Sequence, residues 1–445
     1  MRSFFSRRSF RRLSSLTVLV GLVLTTVALA SAQNQPSENP VQKSRELARK
    51  GMQAYQKKDF TAYLENVREA AKLRPNFPPV LYHLARASFL TGNQSESLRL
   101  LTQLSHMGNY IDLNQDEDLK PLQAKTEFTQ AVQTFEALKK PVAGGQVAFE
   151  LAEKGLITEG ITYLPSEKAF LVSSVRKRKV FKISQDGKVS DFLTSGQDGL
   201  WGVFGMKVDP KRNRLWLCTS VVREIEGFKA EEDGQAGVFQ YDLKTHTLVK
   251  KYILPNSEQG HVFGDLELHP KGDVYITDSK SGGLYRISAA TDTLERFLDT
   301  SPFVSPQGMA LTPDGKRMFV ADYSVGIGIL DLATKTFSLV PATPEMLLLG
   351  IDGLYLHQNS LIGMQNGILP KRVIRLDLDT KLSRIEKLSV IERGTQHLED
   401  PTLGVIVNHS IYFIANSQWE SFDKDGTMFP PDKLNQHIIL KASLK

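Results

Sequence analysis

A sixfold repeat constrains this chain more than any other feature. Aligned against itself, the C-terminal part reads "EGITYLPSEKAFLVSS" from Glu159, "FGMKVDPKRNRLWLCTS" from Phe204 and "GDLELHPKGDVYITDS" from Gly264. It continues as "QGMALTPDGKRMFVADY" from Gln307, "DGLYLHQNSLIGMQNG" from Asp352 and "PTLGVIVNHSIYFIANS" from Pro401. Each unit is a strand, a polar turn and a second strand, and successive starts are 45, 60, 43, 45 and 49 residues apart. That is the period of a propeller blade with one insertion. A second strand pair follows most hairpins, as in "GVFQYDL…LVKKYIL" and "GLYRISAATDTLERFL", so the fold class is an all-β six-bladed propeller spanning 146–445. The sixth unit runs out at "QHIILKASL" with three strands, and "QVAFELA" (146–152) is the segment expected to supply the fourth and close the ring.

Residues 41–140 have a different texture, with helical periodicity and almost no strand signal. Segments 45–58, 60–73, 80–93 and 94–108 are amphipathic, and Arg74-Pro-Asn-Phe-Pro-Pro79 separates the two pairs. Small residues at Gly51, Ala54, Ala70, Ala85 and Gly92 fall where antiparallel helices approach closely. The pattern reads as two tetratricopeptide-like repeats, with 116–138 capping them. Such an array either binds a protein partner or fixes the geometry of its neighbour. "PVAGG" (141–145) marks the boundary with the propeller.

Ahead of both domains, Arg2, Arg7, Arg8, Arg11 and Arg12 precede the apolar run Leu16–Ala30, which ends in Ala30-Ser31-Ala32. This order reads as a signal peptide over 1–32 with a polar linker over 33–40, and hence as a periplasmic or secreted protein with no stable membrane insertion after cleavage. Without those five arginines the formal charge falls from +6 to +1, which removes the case for nucleic-acid binding. The single cysteine, Cys218, excludes an intrachain disulfide and a thiolate metal cluster.

In a propeller the first strand of each blade lines the central channel. The repeat-start residues therefore share one face with the loops between second and third strands. Those residues are Glu159, Phe204, Gly264 followed by Asp265, Gln307, Asp352, and Pro401 preceded by Glu399-Asp400. Carboxylates crowded at one channel mouth call either for solvation or for a cation, and oxygen donors suit a hard divalent ion. The loops on that face include "RKRK" (Arg176–Lys179), Lys371-Arg372 and the insertion 221–235, which is either a lid or a surface loop. His261, His397 and Trp419 also fall near the mouth.

The C-terminal 300 residues resemble the gluconolactonase-like, senescence-marker-protein (regucalcin) family of propellers. The resemblance rests on Glu159-Gly160, Gly264-Asp265, Gln307-Gly308 with "TPDGKRMFVADY", and Asp352-Gly353. It implies a divalent metal (calcium, magnesium, manganese or zinc) held by Glu159, Gln307 and Asp352. It also implies that Asp352 is the base that activates water and that Asp265 and Asp400 orient substrate. A small-molecule lactone is the implied substrate, an anionic sugar lactone if Arg176 and its neighbours contribute. Gln307 and Gly264 stand where that family has Asn. The competing expectation is a non-catalytic propeller that binds a ligand or scaffolds an assembly through its helical repeats.

Overall fold

Apolar stripes and helix-stop signals divide the N-terminal domain into five helices. They are α1 (Pro40–Gln56), α2 (Phe60–Leu73), α3 (Pro78–Leu90), α4 (Gln94–His106) and α5 (Thr126–Ala137). The computed structural model describes residues 39–424 and 426–445, so the signal-peptide segment 1–32 lies outside the described residues. α1 begins at Pro40, inside the expected linker, where proline's fixed φ suits a first helical residue. Asp59 and Asn93 cap α2 and α4 by accepting from the amides of Ala62 and Glu96. The expected further helices over 116–138 are the 3-10 segment Glu117–Leu122, which contains Pro121, and α5, with a 3-10 turn at Leu113–Gln115 ahead of them. Gly51 lies against Val67 and Tyr63, the close helix contact its size predicted.

Beyond Pro141 the chain forms six antiparallel sheets. Blades 1 to 4 each contain four consecutive strands. Their inner strands are Thr158–Leu164, Gly202–Asp209, Phe263–Leu268 and Pro306–Leu311. Blades 5 and 6 begin at Ile351–His357 and Gly404–Val407. Neighbouring inner strands touch in this order, and the sixth returns to the first, closing the ring. Gly145–Leu151 pairs antiparallel with the C-terminal strand His437–Ser443 and completes blade 6, as expected. One unanticipated strand, Val142–Ala143, adds to the outer edge of blade 5, giving that sheet five strands.

Blades 1 to 5 share a register shift at the start of the inner strand, between Thr158/Ile161, Val203/Met206, Phe263/Leu266, Pro306/Met309 and Ile351/Leu354. The two unpaired residues of each bulge are the repeat-start pairs, and such bulges re-aim side chains at sheet rims. In four of the five the second member is glycine, for a steric reason. A Cβ on Gly160 would sit 2.4 Å from Phe204 O, one on Gly205 2.8 Å from Gly264 O, one on Gly308 2.5 Å from Asp352 O and one on Gly353 2.8 Å from Thr402 O. Each glycine thus lies under the carbonyl of the next blade's ring residue. The same pattern makes Thr402, not Pro401, the ring residue of blade 6. The sixth start is displaced by one because that blade has no bulge.

Gly308→Ala is expected to cost about 2–3 kcal/mol, as overpacking against backbone does. Gly264→Ala, whose Cβ would meet only Gln307 Oε1 at 3.4 Å, should stay within about 0.5 kcal/mol. Denaturation midpoints of the two variants check this contrast, and equal losses would remove the blade-contact explanation.

Candidate functional site

The five bulges bring Glu159, Phe204, Gly264, Gln307 and Asp352 to one ring at the channel mouth, and Thr402 takes the sixth place without a bulge. Glu159 is 7% exposed, and its Oε2 accepts a 2.7 Å bond from Trp419 Nε1. Trp419 stacks on Phe204 with ring centroids 6.0 Å apart, so one side of the mouth is an aromatic wall. Asp352, partly buried, accepts from Asn366 Nδ2 at 3.0 Å. The Asn366 Nδ2 group also reaches Pro401 O at 3.0 Å, and its Oδ1 accepts from Tyr323 OH at 2.9 Å.

Burial, reinforced by the charge of Asp352, holds the Glu159 carboxyl well above the usual carboxylate range, against the Trp419 bond that favours ionisation. Burial likewise raises Asp352 to about 7; the Asn366 bond opposes the shift and the charges of Asp400 and Asp265 add to it. These are carboxylates in need of a cation. No Lys or Arg side chain bonds to either among the described residues.

Gln307 Nε2 donates to Ser305 Oγ at 3.3 Å, which leaves Oε1 as the free donor atom toward a ligand. That oxygen lies 3.4 Å from where a Cβ on Gly264 would be. The two departures from the Asn pattern are therefore one: the longer amide of Gln307 occupies space that a side chain at 264 would claim.

Asp265 is in the layer beneath the ring. Blade 3 inverts the bulge order, with glycine at the ring position and Asp265 where its neighbours have glycine. It is 3% exposed, and its Oδ1 accepts from Leu266 N at 2.9 Å. Its Oδ2 has no hydrogen-bond partner. Burial raises it to about 6, with Lys207 acting in the opposite direction. It influences Glu159 and Asp352 through its charge.

Asp400 is at the rim, bonded to Lys371 Nζ (2.8 Å) and Ser417 Oγ (2.6 Å). Arg176 is turned to the insertion loop: Nη1 donates to Glu224 O at 3.2 Å, and the guanidinium faces Phe422 at 5.9 Å. Lys177 pairs with Glu226, Arg178 donates to Leu200 O and Glu226 O, and Lys179 pairs with Glu153 and Asp191. The insertion 221–235 is strapped to its neighbours, with His261 N bonded to Gly234 O. His261 bonds Asp278 at 2.6 Å in the interior, and partly buried His397 bonds Gln396. Cys218 is buried in its sheet. Sequence reasoning missed Asn366 and Tyr323. Their signal was position, since both follow a second strand on the ring face.

No protein-family model and no curated protein matches the chain. Solved structures similar to it include a Xanthomonas campestris gluconolactonase, 14% identical with a TM-score of 0.44, covering 68% of this chain and 97% of that one. An Agrobacterium tumefaciens calcium-binding regucalcin is 13% identical with a TM-score of 0.46, covering 66% and 93%. A Staphylococcus aureus virginiamycin B lyase is 13% identical with a TM-score of 0.42, covering 67% and 98%. Identities this low say nothing about chemistry, which rests on the chain's own residues.

The raised Asp352 fixes the sign of a pH effect. Its folded state keeps a proton that the unfolded chain releases above about pH 4, so in metal-free protein this group lowers stability as pH rises from there to about 7. Asp352→Asn should therefore gain stability over the unsubstituted protein with rising pH in that window, by up to about 4 kcal/mol at the plateau. Thermal melts in chelator across pH 4–8 check it, and a pH-independent difference would refute the assignment.

Proposed function

We propose that this chain is an exported, metal-dependent hydrolase of a lactone or related ester. The observation that carries the proposal is the pairing of Glu159 and Asp352 at the ring with no cationic side chain bonded to either. Gln307, at the corresponding position of the blade next to that of Asp352, adds an amide oxygen. An all-oxygen set of two carboxylates and an amide fits a hard ion such as Ca²⁺, Mg²⁺ or Mn²⁺. It suits zinc less well, because zinc favours sulfur and nitrogen ligands and this set has neither. When bound, such an ion polarises a carbonyl oxygen and stabilises the developing charge.

The protein's own residues supply the rest. Asp352, with affinity for a proton near neutral pH, is suited to take one from an attacking water. Asn366 fixes the orientation of that carboxylate, and Trp419 does the same for Glu159. The Phe204–Trp419 wall offers an apolar surface to the ring of a substrate. An uncharged lactone fits better than an anionic one. The Arg176–Lys179 cations are already engaged, and Lys371 is shared between Asp400 and Glu420. Export to the periplasm or the medium follows from the arginine-led apolar segment at the N-terminus.

Elemental analysis of purified protein, together with a panel of neutral and carboxylated lactones, tests this reading. Asp352→Ala is expected to weaken metal retention and lower hydrolysis by roughly a thousandfold, the range of a lost general base. Metal-free unsubstituted protein that hydrolyses no lactone would sink it and leave the ligand-binding or scaffolding propeller as the reading.

A further inference from the structure

The loop that crosses from the second to the third strand of blade 5, residues 366–371, is attached at both ends to the site. At one end Asn366 donates to Asp352 Oδ2 and to Pro401 O. At the other, Lys371 Nζ binds Asp400 Oδ1 at 2.8 Å and Glu420 at 3.3 Å.

The middle of this loop is held by the helical domain. Tyr110 N donates to Leu369 O at 2.6 Å, and Leu369 N donates to Asn109 Oδ1 at 3.1 Å, so adjacent residues after α4 clasp the backbone of one residue on both sides. Ile368 is buried in the helical domain's own hydrophobic core, with Leu101, Leu104 and Met107. Gly108, at φ +76°, lies over the guanidinium of Arg372, where a Cβ would come within 2.3 Å of Nη1. Arg372 is 3% exposed and donates to Gln365 Oε1 at 2.6 Å, which ties the clasp to the strand that ends just before Asn366.

The adjoining blade is held in the same way. Arg74, after α2, donates to Ser324 O at 2.6 Å, one residue beyond the Tyr323 that bonds Asn366. Leu347, from the connection between blades 4 and 5, also lies in the helical core.

We infer that the helical domain is a positioning element of the ring: through Asn109, Tyr110 and Ile368 it sets the loop whose Asn366 and Lys371 orient Asp352 and Asp400. The surface of the helical array next to α4 is thus occupied by this chain's own propeller. Asn366 is a positioning residue, acting on the site through Asp352, and Asn109 acts one step further away. The inference rests on the metal-site reading for one of its readouts only.

The test is a double-mutant cycle on the full chain, with the calcium ion alone as probe. Asn109→Ala/Ile368→Ala loosens the clasp, and Asn366→Ala cuts the last link to Asp352. Each is expected to weaken calcium binding by about fivefold or more in calorimetry. The combination should be no weaker than Asn366→Ala alone, since coupled residues are not additive. Hydrogen exchange over 366–371 should accelerate in the clasp variant while exchange in blades 1–3 is unchanged.

Additive losses, or unaltered exchange in the loop, would overturn the inference. If the unsubstituted protein binds no calcium, the metal-site reading fails, and the exchange measurement still decides the positioning claim. Asn109→Ala alone, which removes one acceptor at the surface, should act in the same direction with smaller size and serves if Ile368→Ala unfolds the chain.

Discussion

Contact between backbones of adjacent blades is the constraint on which the rest of this structure depends. At the channel mouth the ring residue's carbonyl in one blade sits where a Cβ of the preceding blade would be, at 2.4–2.8 Å. Only glycine permits that approach, and the approach is what makes the ring narrow enough for Glu159 and Asp352 to influence each other. Strand pairing alone does not produce this arrangement. In blades 1, 2, 4 and 5 the bulge in the inner strand turns the residue before the glycine toward the axis. A stability device and a chemical device therefore share a dipeptide, Glu159-Gly160 in blade 1 and Asp352-Gly353 in blade 5.

Crowding carboxylates at such a ring is unfavourable by itself. The protein partly relieves it with neutral donors, Trp419 on Glu159 and Asn366 on Asp352, rather than with cations. Lys371 is spent on Asp400 and Glu420, one step out from the ring. Neutral donors orient a carboxylate without satisfying its charge, so the site keeps its demand for a positive ligand while losing rotational freedom. The unpartnered Oδ2 of Asp265 beneath it adds to the same negative field.

The six blades, their order and the strand that closes the ring were legible in the sequence because each blade must bury its own apolar faces and turn at similar intervals. Glu159 and Asp352 were legible for the same reason, since a repeat exposes whichever residue varies at a fixed place. Thr402 was misplaced by one because blade 6 lacks the bulge that sets the register elsewhere. The relation of Gln307 to Gly264 was not legible, because it is a matter of volume shared across two blades. Asn366 and the clasp around Leu369 were hidden for a similar reason. They depend on where a helical domain more than 250 residues distant in sequence from that loop comes to rest.

The strand Gly145–Leu151 that completes blade 6 has a consequence for how the chain matures. Its hydrogen-bonding partner, His437–Ser443, is synthesised only after the strands of the five other blades. Until then the outer strand is an unpaired edge, and the ring cannot shut. The two-residue strand before it waits on blade 5 in the same manner. Native topology is thus withheld from every shorter nascent chain. Any chain that stops short of His437–Ser443 carries an adhesive edge that marks it for aggregation or removal.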